Sequence, residues 1–85
     1  MRVSRLREFE MGYARLPMSI RKKVDRQIGY LIQDIRHPGA HAKKMESVGD
    51  IWEARIDRHY RMTFEIIGDV ILFRRVGTHA VLKTP

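Results

Sequence analysis

The chain changes its hydrophobic period once, near Gly49, and that single change limits it to one kind of architecture. Before it, apolar residues recur at helical steps; after it, they alternate. Ile20, Val24, Ile28, Leu31 and Ile35 form the longest stripe, with Arg21, Lys22, Lys23, Arg26 and Gln27 on the opposite face. This spacing predicts an amphipathic helix that ends at His37-Pro38-Gly39. Leu6, Phe9, Tyr13 and Leu16 predict a shorter helix ahead of it, so an antiparallel helix pair joined at Leu16-Pro17 is expected.

Beyond Gly49, Trp52, Ala54 and Ile56 alternate with Glu53, Arg55 and Asp57, the pattern of a half-buried strand. A polar break at Asp57-Arg58-His59 precedes Tyr60, Met62, Phe64 and Ile66, which alternate with Arg61, Thr63 and Glu65. Gly68-Asp69 predicts a tight hairpin, and Val70-Ile71-Leu72-Phe73 reads as an internal strand because it is apolar on both faces. Residues 37 to 49, where Met45 and Val48 are the only larger apolar groups, read as a basic connection; Gly77-Thr78 reads as a turn before a short packed tail. The expected fold is α+β: a helical hairpin packed on one face of a small antiparallel sheet, as a single domain over residues 1–85.

Composition narrows the function. Hydrophobic residues make up 44%, enough for a packed core, and 17 Lys+Arg against 10 Asp+Glu leave a net charge of +7. Such a charge attracts polyanions, nucleic acid first, although an acidic protein, an anionic lipid surface or plain solubility also accounts for it. The absence of cysteine excludes disulfides, thiolate zinc sites and nucleophilic thiols. No apolar run approaches a membrane span or a signal segment, so a cytoplasmic protein is expected. HExxH, paired-Asp, Gly-rich phosphate-loop and Gly-x-Ser-x-Gly patterns are missing, so neither metal nor small-molecule cofactor is expected.

Strand parity then selects candidates. If Trp52, Ala54, Ile56, Tyr60, Met62, Phe64 and Ile66 face the helices, Arg55 and Arg61 point away from them. In the last strand Val70, Leu72 and Val76 are expected inward, with Arg75 outward and Arg74 on the helix side. Solvation, or pairing with Glu53 and Glu65, is the ordinary reading of these arginines. Two histidines, His59 and His79, stand at strand ends near them, and Lys43 and Lys44 border the first strand. Metal-free RNA cleavage uses such groups: a base for the 2′-hydroxyl, cations for charge on phosphorus and an acid for the leaving oxygen. His37 and His41 carry a weaker signal, being loop residues.

Ile51-Trp52-Glu53-Ala54-Arg55-Ile56, Tyr60-Arg61-Met62-Thr63-Phe64 and the tail Phe73-Arg74-Arg75-Val76-Gly77-Thr78-His79-Ala80-Val81-Leu82 together resemble the RelE/ParE superfamily of toxins from type II toxin-antitoxin systems, its YafQ-like branch most closely. Leu16-Pro17 and Asp34-Ile35-Arg36-His37-Pro38 extend the likeness over nearly the whole chain. The resemblance implies a microbial-ribonuclease-like fold that enters the ribosome, cuts mRNA and is neutralised by a cognate antitoxin. It puts functional roles on His37, Arg55, His59, Tyr60, Arg75 and His79, with His79 as acid or base and Arg75 on the phosphate. Lys43, Lys44, Arg61, Tyr60 and Lys83 are the expected RNA contacts; Lys83 stands where the family carries an aromatic. Tyr60 either stacks on a base or packs against the helices. The ParE branch, which blocks DNA gyrase without catalysis, is the alternative, and a binding module without catalysis a third. Family members open with a strand; Met1 to Arg5 is barely long enough, so the sheet is expected to be one strand short or to start with a vestigial strand.

Overall fold

Both helical stripes are buried as their spacing requires. A computed structural model describes residues 1–46 and 49–85, so Val48 of the expected connection lies outside the described residues. In chain order the elements are β1 (Arg2–Arg5), α1 (Arg7–Ala14), α2 (Met18–Gln33), a 3-10 turn (Pro38–Ala40), β2 (Ala42–Lys44), β3 (Ile51–Arg55), β4 (Tyr60–Ile67), β5 (Val70–Thr78) and a second 3-10 turn (His79–Leu82). Phe9 of α1 and Val24 and Leu31 of α2 are fully buried, in one core with Phe64, Phe73, Met62 and Ile71 of the sheet. Arg21 joins the helices: its Nε donates to the Leu16 carbonyl at 3.1 Å and a terminal nitrogen to the Ala14 carbonyl at 2.7 Å. It thereby satisfies acceptors that the end of α1 leaves open.

The sheet order is β1-β5-β4-β3-β2. Three expectations need correction. Of the two expectations for the first strand the vestigial one holds, with four exposed residues, but the strand departs from the antiparallel sheet: it runs parallel to β5, Arg2 opposite Val70 through Arg5 opposite Phe73, whereas the other pairs are antiparallel. The expected connection over residues 37 to 49 holds the first 3-10 turn and β2, which pairs with β3 from Ala42 opposite Ala54 to Lys44 opposite Trp52. Three residues are too few to show a period of two, so only pairing reveals this strand. Gly77-Thr78 is no turn: β5 runs through Thr78, and the chain bends at His79. Gly68-Asp69 does close the β4–β5 hairpin, with Gly68 at φ +60°, a region that favours glycine.

The inner face of β5 also differs from its expected parity. Phe64 pairs with Phe73 and Thr63 with Arg75, so Arg74 is an extra residue in a bulge. Ile71, Phe73 and Val76 are therefore the inward residues, although Phe73 and Val76 are an odd number of positions apart. Counting back from Val76 across the bulge gives the wrong face for Val70 and Leu72.

Beyond the end of β1, α1 lies against β5. A methyl group on Gly12 would fall inside contact distance of the Val76 carbonyl oxygen. Overpacking costs about 1–3 kcal/mol against the ~1 kcal/mol that alanine gains in helix propensity, so Gly12→Ala is expected to destabilise the fold by up to about 2 kcal/mol net. The urea midpoint should fall; an unchanged or raised midpoint contradicts this close approach.

Candidate functional site

The pairing register lays the chemistry-bearing side chains out in rows across the sheet face opposite the helices. Lys43, Glu53, Thr63 and Arg75 stand side by side from β2 to β5, and Arg55, Arg61 and Gly77 form the next row. The bulge adds Arg74 to this face, where its terminal nitrogen pairs with Glu65 at 2.9 Å; it is not on the helix side, as parity had suggested. Glu53 pairs with Lys43 at 3.3 Å. The two glutamates are thus taken by Lys43 and Arg74, and among the described residues no carboxylate pairs with Arg55, Arg61 or Arg75.

These three guanidiniums instead meet backbone oxygens, hydroxyl oxygen or solvent. Arg61 Nη1 donates to the carbonyls of Asp57 at 2.6 Å and Tyr60 at 2.9 Å, which aims it at the β3–β4 turn. Arg75 Nη1 donates to Thr84, to Oγ1 at 3.1 Å and to the carbonyl at 3.3 Å. Arg55 is exposed. The face is not bare: Thr63, fully buried, donates to the Pro85 main-chain oxygen at 3.2 Å, as does Arg74 Nε at 3.1 Å, so residues 84–85 lie across the arginine strand.

The β3–β4 turn carries His59 and meets His79. Asp57 Oδ1 accepts from the backbone N–H of His59 at 2.8 Å and of Tyr60 at 3.0 Å, an Asx turn that fixes the polar break. The His59 amide above all, then the Tyr60 amide and the Lys23 and His59 charges, outweigh partial burial and hold the Asp57 carboxyl below its ordinary value. A lowered folded-state value contributes stability that is present above the ordinary carboxylate range and lost as pH falls through the folded value. Thermal melts taken downward from pH 6 should show this loss, and Asp57→Asn, whose oxygen still accepts, should flatten that part of the profile. An unchanged profile in the variant rules Asp57 out as its source.

Tyr60 opposite Thr78 brings the end of β5 against this turn, and His79 Nε2–H donates to the Arg58 carbonyl at 3.3 Å. A carbonyl only accepts, so Nε2 is the donating nitrogen in this contact. His59 is exposed in the same turn. Tyr60 packs against the core, the second of its two expected settings, and also lines a groove of about 440 Å³ with Met11, Arg75, Thr78 and Val81.

The remaining candidates stand differently. His37 is held by local contacts: its ring stacks on Tyr30 with centroids 4.2 Å apart, and Nδ1 accepts from the Gly39 amide at 2.9 Å, capping the 3-10 turn. Lys44 pairs with Asp50 at 3.2 Å, and Lys83 is exposed just past the last turn. Periodicity missed Arg74, Asp57 and Gln27. Arg74 was hidden by the bulge; Asp57 was legible as an Asx-turn residue three positions before Tyr60. Gln27, counted on the polar face of α2, is buried, because its amide reaches backbone carbonyls behind the stripe.

Among the described residues no group of three or more His, Cys, Asp or Glu is placed to hold a metal ion, and no helix is long and apolar enough to cross a membrane. No protein-family model matches the chain and no curated protein matches it in sequence. Solved structures do. A chain of the RelB-RelE antitoxin-toxin complex from Methanococcus jannaschii superposes with a TM-score of 0.75 at 21% identity, over 95% of each chain. The YoeB/ParE toxin from Agrobacterium tumefaciens gives 0.83 at 13%, covering 93% of this chain and 99% of that one. This is the RelE/ParE toxin fold. YafQ from E. coli strain BL21(DE3) shares it, at 0.74 and 17% identity over 96% of this chain and 98% of its own. Within this RelE-like frame the arginine rows, the β3–β4 turn and His79 occupy one end and one face of the sheet.

Proposed function

We propose that this RelE-like chain is the toxin of a type II toxin-antitoxin system and acts as a ribosome-dependent, metal-independent endoribonuclease, cutting mRNA in the cytoplasm and so repressing translation. One observation carries the reading: three arginines that have no carboxylate partner among the described residues stand on the face and edge where His79 meets the β3–β4 turn. Fold alone supports no activity, so the chemistry of these groups has to.

In the reaction, the 2′-hydroxyl loses its proton to a base as its oxygen bonds to phosphorus. The P–O5′ bond then breaks and the leaving oxygen takes a proton from an acid. The products are a 2′,3′-cyclic phosphate and a 5′-hydroxyl. His79 serves one of these transfers, with His59 or His37 serving the other, because imidazole exchanges protons near neutral pH. Arg75 neutralises the charge that builds on the phosphoryl oxygens, a task suited to a rigid bidentate donor, and Arg55 and Arg61 hold the RNA backbone beside it. The Thr84 oxygens that Arg75 holds are neutral acceptors, and an anionic phosphate oxygen makes the stronger bond. Lys43 and Lys44 keep exposed side chains beside their paired carboxylates and remain open to the RNA backbone, as does Lys83. Tyr60 stacks on a base at the groove it lines.

The partner that restrains such a toxin is a cognate antitoxin. The RelB-RelE and DinJ-YafQ structures were solved as complexes, and the +7 charge suits an acidic segment laid over the arginine face. Primer extension on cellular mRNAs shortly after induction tests the activity: new in-frame cuts within coding regions are expected. Growth arrest without cuts overturns the nuclease reading in favour of gyrase blockade of the ParE kind.

A further inference from the structure

The buried amide of Gln27 has no part in the chemistry above, yet it occupies a costly position. It interrupts an otherwise apolar stripe of Ile20, Val24, Ile28 and Leu31 at 5% exposure, where an unbonded amide is strongly disfavoured. Both of its Nε2 protons are used: one goes to the Ala40 carbonyl at 3.0 Å and the other to the Arg55 carbonyl at 2.6 Å. The Arg55 amide in turn donates to the His41 carbonyl at 3.1 Å. Three hydrogen bonds thus fix the corner where α2, the first 3-10 turn and the end of β3 meet, and they hold His41 in the left-handed region at φ +50°.

That corner forms one wall of a groove. His41, Lys43, Arg55 and Arg61 line about 430 Å³ on the arginine face, with Glu53 the one carboxylate there and already paired to Lys43. Four basic side chains around one paired acid suit a phosphodiester group. Two of the four, His41 and Arg55, depend for their backbone placement on the bonds just described. Packing alone gives no reason for glutamine here, since methionine fills a similar volume without a polar group to satisfy.

We infer that Gln27 is a positioning residue for a phosphate subsite formed by His41, Lys43, Arg55 and Arg61, which takes a backbone phosphate of single-stranded RNA beside the one that is cut. The inference rests on the RNA-directed reading of the face and adds to it a second phosphate and the residue that builds its site.

The test is the salt dependence of binding to a short single-stranded RNA, measured by fluorescence anisotropy for the full chain. Each phosphate contact contributes about 0.7 to the slope of log affinity against log salt for single strands. Arg55→Ala is expected to reduce the slope by about that amount, and Gln27→Met to do the same although it removes no charge. The double variant should fall no further than Arg55→Ala alone, because the two changes act on one contact. A Gln27→Met protein that melts lower but keeps the wild-type slope overturns the positioning role and leaves the nuclease reading untouched. Should the methionine variant fail to fold, RNA titration of the labelled wild type decides: the His41 and Arg55 amide resonances should move, and unmoved resonances overturn the subsite. The expected slopes in a protein that makes no cuts in cells would leave the subsite standing and remove the nuclease.

Discussion

Replacing His79 by alanine is expected to lower mRNA cleavage in translating cells by about 10²–10⁴-fold, the range for losing a positioned proton-transfer group. Stability should change little. His79 is exposed, its one side-chain hydrogen bond among the described residues is the 3.3 Å bond to the Arg58 carbonyl, and surface substitutions of this kind stay within about 0.5 kcal/mol. Arg75→Ala should act through charge rather than protons, at about 10²–10³-fold, and Arg75→Lys should recover little because a point charge does not replace a planar fork. The comparison is made by primer extension at matched expression, with melting curves on each purified variant. Cuts that persist at full strength in His79→Ala remove the histidine from the chemistry, and loss accompanied by unfolding would assign it a structural role instead.

The largest loss of stability is expected at Phe73. It is fully buried between Phe9 of α1, with ring centroids 5.4 Å apart, and Phe64 of β4, at 5.8 Å, so one side chain ties the first helix to the two longest strands. Phe73→Ala removes both contacts and leaves a cavity in close-packed surroundings, at about 3–5 kcal/mol. Whole domains are stable by only about 5–15 kcal/mol, so the variant should be partly unfolded at 37 °C. A urea transition that loses less than about 1 kcal/mol would mean that the core collapses around the gap, contrary to its packing.

The residues differ in how openly they declared these roles. The stripe from Ile20 to Leu31 and the alternation from Trp52 to Ile66 were legible because burial repeats at the period of the element. Arg55 and Arg61 followed from that alternation, and the pairing register does set them side by side. Arg74 was not legible: a bulge breaks the very period on which the inference depends, and nothing local marks it. β1 was equally obscure, since its four residues are exposed and owe their conformation to β5, far away in sequence. Gln27 looked polar and therefore external; only a fold that brings two backbone carbonyls to it explains a buried amide. His79 stood out through its place after the arginine strand, whereas its neighbour across the turn, the Arg58 carbonyl, belongs to the backbone and leaves no mark in a list of side chains.

The parallel pairing of β1 with β5 has a kinetic side. Arg2 through Arg5 have no sheet partner until Val70 through Phe73 exist, and those residues are made last among the strands. At about 5–20 residues per second, the first strand waits on the order of several seconds during synthesis. Distant pairings of this kind also slow refolding relative to local ones. The strand that completes the sheet is also the one that carries Arg74, Arg75 and, at its end, His79. A nascent chain therefore cannot assemble the arginine face before it can complete its fold.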